Sequence, residues 1–375
     1  MPYSNQTKNG YKLHIPYGED GRNLFAQYCK YFAQNVSSKY YEIWNEFDSP
    51  AGVSYNMNGE DYRNYGNLLT AAADAIYACD KDAEIISVVS GSKRTHEKAI
   101  KRVIELIDSG KAENTLDKYF NIASAHPYHW NDNPLFAEYT DTGEMTDMYK
   151  HMKEIRDLYD SYKLENTRLY VTEVAWSPHY TAYNEYGAFP ENKNIIADPQ
   201  KAIRKPITEK QQGSYLVQTY VMMKKDNLVE KFIPYLFVRQ TNVRVDRDKN
   251  MGILKNYKSY LEDVPLAATN AYLAISNMNM LLANARYLSD FYFDDAKKTA
   301  VCYRYKQNSG NDIAVLWSAK EEGEAASVNF GCNKITVYDE YGNASEMTSG
   351  SGIYNFNLTQ STLYVCGNFS EFKKN

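Results

Sequence analysis

Apolar positions in the first 284 residues follow two alternating rhythms. Short runs rich in Val, Ile, Tyr, Phe and Trp predict strands at Tyr40–Phe47, Glu84–Val89, Phe120–Tyr128, Arg168–Val174 and Phe232–Val238. Between them, apolar residues return every three to four positions, predicting helices over Asn23–Asn35, Gly59–Cys79, Thr95–Asp108, Met145–Tyr162, Thr208–Asp226 and Ala267–Leu282. Thr95, followed by Lys98, and Thr208, just ahead of Glu209, look like helix starts. Strand–helix alternation of this kind means parallel βαβ units with helices packed outside. Five such strands fit a doubly wound sheet or part of a (β/α) barrel.

From residue 285 the rhythm changes to short alternating strands without helices. They are predicted at Leu288–Tyr292, Ala300–Tyr305, Ile313–Trp317, Ser327–Phe330, Lys334–Tyr338, Ile353–Phe356 and Thr362–Cys366, separated by Gly- and Asn-containing turns. This pattern predicts a small antiparallel β-sandwich. The expected domains are therefore 1–284 and 285–375, with no Pro-, Gly- or Ser-rich linker between them, so rigid packing is expected.

Composition adds exclusions. The chain is 43% hydrophobic and 24% charged, which is globular rather than disordered. A net charge of −5 argues against a nucleic-acid partner. No apolar run is long enough to span a bilayer, so no membrane association is expected. The opening residues are polar and lack the order of a signal peptide, which leaves localisation open because the true N-terminus could lie upstream. Cys29, Cys79, Cys302, Cys332 and Cys366 form no C-x-x-C pair and read as free, buried thiols. The sequons at Asn5 and Asn357 locate nothing in a chain rich in Asn, Ser and Thr. Tyrosine is in excess, 35 of 375 residues; its flat ring and polar tip suit sugars, peptides and wet interfaces.

There is no dinucleotide or phosphate-loop glycine signature, no G-x-S-x-G and no H-E-x-x-H. His126 and His129 are three apart on a predicted strand and point to opposite faces, so no metal or cofactor is expected. Two strands end in a carboxylate: Glu46 closes Y-E-I-W-N-E and Glu173 closes L-Y-V-T-E. C-terminal strand ends hold the active site in parallel α/β folds. Two glutamates facing one another there would make the pair that glycoside hydrolysis needs. Taken singly, each could equally be a salt-bridged or helix-capping carboxylate.

The ordered set I-W-N-E, the H-P-Y at His126–Tyr128 and T-E-V-A-W resembles the clan A glycoside hydrolases, closest in look to the β-xylosidase and iduronidase branch. Those are retaining enzymes on a (β/α)8 barrel, in which Asn-Glu ends the fourth strand and a second Glu the seventh. The 127 positions between Glu46 and Glu173 make three units of about 42 residues. The resemblance implies Glu46 as general acid/base, Glu173 as nucleophile, and Asn45 on the sugar 2-hydroxyl. It also implies Tyr128 donating to Glu173, and His126 as either a site residue or a structural one. Trp130 and Trp176 lie within a few residues of these positions, and the ring-rich stretch 177–206 is expected to wall a sugar cleft. Trp44 is expected inside the barrel.

Two departures stand out. Strand eight reads Y-L-F-V-R-Q where many clan members carry a tryptophan; Phe237 is expected to substitute, and Arg239 to meet an acidic sugar or only solvent. Only 39 residues precede Tyr40, whereas three earlier units need on the order of 100–130. The expected fold is thus a TIM barrel lacking its first three strand–helix units, followed by the sandwich, completed by an upstream segment or a second chain. The expected function is retaining hydrolysis of β-linked glycosides in plant or microbial polysaccharide, a xyloside first. The alternatives are a fragment or non-catalytic carbohydrate-binding relative and, least favoured, a doubly wound small-molecule enzyme.

Overall fold

The computed structural model describes residues 5–7, 10–12, 15–16, 18–48, 59–128, 133–136, 148–178, 207–239, 251–255 and 266–375. They divide into two compact units. The first draws on Met1–Pro127, Met152–Glu173 and Val229–Ile233, the second on Tyr128–His151, Val174–Leu228 and Pro234–Asn375.

The first unit is built on β1 (Tyr40–Glu42), β2 (Glu84–Ser87), β3 (Ile122–Ala125), β4 (Arg168–Val174) and β5 (Lys231–Pro234), which lie side by side in chain order. Pairing from β1 through β4 is parallel, with Tyr41 opposite Ile85, Ile86 opposite Ile122 and Ala123 opposite Leu169. This is a parallel half-barrel sheet, and the strand order is the one the alternating rhythm predicts. Every residue of β3 is buried, as in a strand covered on both faces.

Helices α1 (Gly18–Asn35), α2 (Gly59–Tyr77), α3 (Lys93–Asp108) and α4 (Met148–Ser161) alternate with the strands. In α2, Tyr65, Leu68, Leu69, Ala72, Ala73 and Ile76 are buried, the 3.6-residue stripe that one buried face requires. In α1 only Cys29 is buried, while Leu24, Tyr28, Tyr31, Phe32 and Val36 at its end are exposed. Ser92, rather than Thr95, is the N-cap of α3.

The second unit contains α5 (Glu209–Met223), α6 (Asn270–Leu282) and the predicted sandwich. Thr208 caps α5 in a reciprocal box with Gln211. The sandwich strands are β6 (Arg286–Tyr292), β7 (Ala300–Lys306), β8 (Asp312–Ser318), β9 (Glu324–Asn329), β10 (Lys334–Tyr338), β11 (Ala344–Thr348), β12 (Ile353–Leu358), β13 (Leu363–Gly367) and β14 (Lys373–Lys374). A sheet ordered β6-β7-β8-β13-β10-β11 faces another ordered β12-β9-β14. Alternate residues of β7 and β8 serve two cores. Ala300, Cys302, Ala314 and Leu316 pack with Val328, Phe330 and Phe356 between the sheets. Val301, Tyr303, Tyr305, Val315 and Trp317 pack outward with Val217 and Val221 of α5 and Met278 and Leu282 of α6.

Much of the tyrosine excess is structural: Tyr65, Tyr119, Tyr159, Tyr303, Tyr305 and Tyr364 are all fully buried. The cysteines are free, but only Cys29 and Cys302 are buried; the other three are half-exposed. Among the described residues, no helix is long and apolar enough to cross a membrane.

Candidate active site

The strand carrying Glu46 is shorter than its composition predicts. Its ladder ends at Glu42, and the Ile43 N–H makes one more bond to the Ile86 carbonyl at 3.0 Å. The backbone then turns through left-handed conformations at Trp44 (φ 67°) and Glu46 (φ 41°), which are unfavourable for residues other than glycine. Side chains further along hold the turn. The Phe47 ring stacks on Tyr65 at 3.7 Å and 2°. The Tyr65 hydroxyl accepts the N–H of Val88, itself left-handed, at 2.6 Å. Asp48 accepts hydrogen bonds from the hydroxyls of Ser90 and Thr95. Trp44 lies edge-on to Phe25 of α1 at 5.8 Å, so it packs toward the helix and not inside the barrel as expected. A strained conformation persists where surroundings over-determine it. Burial raises the Asp48 pKa, and the Ser90 and Thr95 hydrogen bonds oppose that rise.

Glu173 stands near the end of seven-residue β4, where the ladder fixes the backbone up to Val171 opposite Ala125. Its neighbour Thr172 meets the Ser124 hydroxyl of β3 at 2.5 Å.

His126, just past β3, draws these parts together. Its Nδ1 is 2.9 Å from Glu46 Oε1 and 3.6 Å from Glu173 Oε2, and its Nε2 is 3.1 Å from Thr172 Oγ1. The His126 side chain is 2% exposed, against 20% for Glu46 and 27% for Glu173: a buried ring behind two carboxylates that reach solvent. One donor atom from each of the three lies within 4.8 Å of the others. Three donors so close could in principle hold a cation, but the Nδ1–Glu46 separation is a hydrogen bond's, with a proton in it. The arrangement is suited to moving protons between carboxylates and a bound group.

The remaining predicted residues separate. Asn45 is exposed on the Glu46 turn. Tyr128 is half-buried and belongs to the second unit. Trp176 is fully buried there, edge-on to Tyr215 at 5.8 Å, with no exposed face to offer a sugar. Phe237 is 61% exposed, as a platform must be. Arg239 is 2% exposed and committed to Glu209 Oε1 at 2.8 Å and the Gly252 carbonyl at 3.1 Å; it is an internal ion pair, neither solvated nor free for a uronate. His129, Trp130 and positions 179–206 lie outside the described residues.

Sequence reasoning missed Glu42, Thr172, Ser124 and Asp48. Glu42 gave a usable signal, since a second glutamate in an apolar strand needs a partner as much as Glu46 does.

No family model and no curated protein matches the chain. Solved structures do. A family 39 glycoside hydrolase from the gut symbiont Bacteroides cellulosilyticus matches with a TM-score of 0.67 at 18% identity, over 94% of this chain and 63% of that one. A family 39 β-xylosidase from Caulobacter crescentus matches at 0.54 and 11%, over 96% and 74%. A family 51 arabinofuranosidase from Xanthomonas axonopodis pv. citri matches at 0.55 and 9%, over 94% and 74%. This chain thus spans less than two thirds of the first of these. Its fold is that of the clan A glycoside hydrolases, the group its strand-end motifs resemble.

Proposed function

We propose that this chain carries the site of a retaining β-glycosidase, with Glu46 as general acid/base and Glu173 as nucleophile. One observation carries the reading: two strand-end glutamates meet at one buried histidine, with an oxygen of each within 4.8 Å of the other. Retaining enzymes keep their carboxyl groups ~5–5.5 Å apart, whereas inverting enzymes leave ~6.5–9.5 Å for a water. In the first step Glu173 attacks the anomeric carbon while Glu46 gives its proton to the departing oxygen. In the second, Glu46 takes a proton from water, which breaks the glycosyl ester. Asn45 would bind the sugar 2-hydroxyl, Tyr128 would donate to Glu173, and Phe237 would serve as a platform. A β-xyloside is the first substrate to try, in keeping with the β-xylosidase among the structural neighbours.

In this reading 1–284 is the catalytic barrel part and 285–375 its sandwich. The five strands correspond to strands four to eight, and further strand–helix units, in the same polypeptide or another, complete the barrel. The exposed apolar side chains of α1 and the unpaired edge of β1 are surfaces such units would cover.

The test is hydrolysis of a panel of aryl β-glycosides. Glu173→Ala is expected to lose roughly 10⁴-fold or more in kcat, and azide to restore turnover as a glycosyl azide of inverted configuration. Retained turnover in that variant overturns the assignment. Glycan binding without turnover by the unmodified chain would favour a non-catalytic relative, the reading that the 63% span supports.

A further inference from the structure

Behind the two carboxylates lies a third. Glu42, the last residue of β1, accepts a hydrogen bond from Thr172 and feels the charges of His126 and Glu173. Tyr65 of α2 feels the Glu42 charge in turn. The Glu42 residue keeps contact with solvent, but its carboxyl group sits among protein atoms, and that loss of hydration raises its pKa.

Proton counting at Thr172 is restrictive. A hydroxyl offers one donor and two lone pairs. Thr172 has three polar neighbours: Ser124 Oγ, His126 Nε2 and the Glu42 carboxyl. On the other side of the ring, Nδ1 faces oxygens of Glu46 and Glu173. When either is ionised, Nδ1 must carry a hydrogen.

With Glu42 protonated, its O–H and the Ser124 O–H donate to Thr172, the Thr172 O–H donates to Nε2, and Nδ1–H donates to a carboxylate. Every group is then satisfied with a neutral imidazole. Moving the Glu42 proton to Thr172 Oγ1, while the Thr172 proton passes to Nε2, leaves Glu42 ionised and His126 cationic. No hydrogen bond is lost and the total charge is unchanged. Removing that proton altogether breaks the chain, because either Nε2 or Nδ1 then presents a lone pair to an acceptor.

Resting on the assignment of Glu46 and Glu173, we propose that Glu42 and Thr172 are positioning residues that fix the protons of His126, so that Nδ1 donates to whichever carboxylate of the pair is ionised. In double displacement that identity alternates. Glu173 is ionised in the free enzyme, whereas Glu46 is ionised once Glu173 is esterified. One N–H lying 2.9 Å from the first oxygen and 3.6 Å from the second can follow the charge from one to the other.

The test combines ring-nitrogen NMR of histidine-labelled full-length chain with pH–rate profiles. The His126 signal is assigned by loss in His126→Asn. The wild type is expected to show the Nδ1–H form at neutral pH and to lose it as pH rises. Glu42→Gln, whose amide still donates to Thr172 but cannot ionise, should hold that form to higher pH and move the alkaline limb of kcat/KM up by about one unit. Thr172→Val should abolish the Nδ1–H form and lower kcat by about tenfold or more with little change in KM; Thr172→Ser should restore both. An Nε2–H imidazole at every pH, or a Glu42→Gln variant with wild-type titration, overturns the proposal. The NMR arm needs no substrate. A failed glycosidase assignment, seen as turnover by Glu173→Ala, is therefore distinguishable from a failed relay.

Discussion

In the first unit Glu42, Glu46 and Glu173 gather around one histidine, and the two flanking it most closely stay partly open to solvent. In the second, Asp312 and Glu340 are each 1% exposed and share no partner. Asp312 at the start of β8 is held between Arg304 and Lys306 of β7, both at 2.9 Å or less, and accepts the Phe369 N–H. Glu340 accepts from the Ser214 hydroxyl of α5 at 2.9 Å, and its carbonyl accepts from Asn277 of α6. Sealed carboxylates need a cation or a proton. Carboxylates set beside one another need solvent access and a group that can change which one it serves. Crowding of like charge with partial exposure is what separates a reacting cluster from a structural one.

The largest effect that sharpens this contrast concerns Asp312. Removing one member of a buried pair costs about 3–5 kcal/mol because a charge is left behind. Lys306 remains beside Asp312 in Arg304→Met, so the expected loss is near the lower end, about 3 kcal/mol. Arg304 also covers the Phe369 and Phe372 rings, and methionine keeps part of that contact. Urea unfolding monitored in the second unit would register the change as a lower midpoint. An unshifted midpoint would mean that Asp312 is no more dependent on its partners than the exposed carboxylates are.

Glu340 contributes with the opposite sign. Burial is the main cause that pushes its pKa from 4.5 up to about 7; the Ser214 hydrogen bond and the Lys210 charge pull it down, and Asp339 adds to the rise. Between those two values the folded protein binds a proton that the unfolded chain does not. Its contribution to stability is therefore greatest below about 4.5, falls as pH rises, and levels off above about 7. At 1.36 kcal/mol per unit the penalty at pH 8 is about 3 kcal/mol. Glu340→Gln should be about 2–3 kcal/mol more stable than wild type at pH 8 and no more stable at pH 4. A pH-independent difference between the two would show that the site is wet enough to keep the carboxylate charged.

These differences also mark what the sequence could disclose. Periodicity located every strand of the parallel sheet, because β2 and β3 are apolar throughout and α2 buries an unbroken stripe. It overran the end of β1, since Ile43 and Trp44 favour strands while the turn depends on left-handed residues braced by Phe47, Tyr65 and Asp48. It missed β11, whose A-S-E-M-T has little strand preference and lies at a sheet edge. The glutamates at 46 and 173 were legible as strand-end charges. Thr172 was not, because a threonine in a strand is ordinary until its three neighbours are counted. Thr95 resembled a cap, yet its hydroxyl is taken by Asp48, 47 positions away. Trp176 and Arg239 were mistaken for ligand contacts because burial is set by distant segments, which local pattern does not report.

The smallest effect tests the contrast most directly. If Glu173 is placed for reaction, its charge opposes folding, and removing that charge should stabilise the protein while abolishing turnover. The Glu173 charge already acts against ionisation of Glu42. Two unit charges about 5 Å apart with solvent between them repel by about 1 kcal/mol. His126 offsets part of this, but its short contact is with Glu46, so Glu173 gains less from it. Glu173→Gln is therefore expected to gain about 1 kcal/mol at pH 7, roughly 2–4 °C in the melting of a unit this size, with the gain vanishing near pH 4 as the carboxylates protonate. Lower stability in Glu173→Gln would place this glutamate with Asp312, as a carboxylate held by its surroundings for the sake of the fold. Higher stability together with lost turnover is the signature of a charge kept in an unfavourable place because the chemistry needs it there.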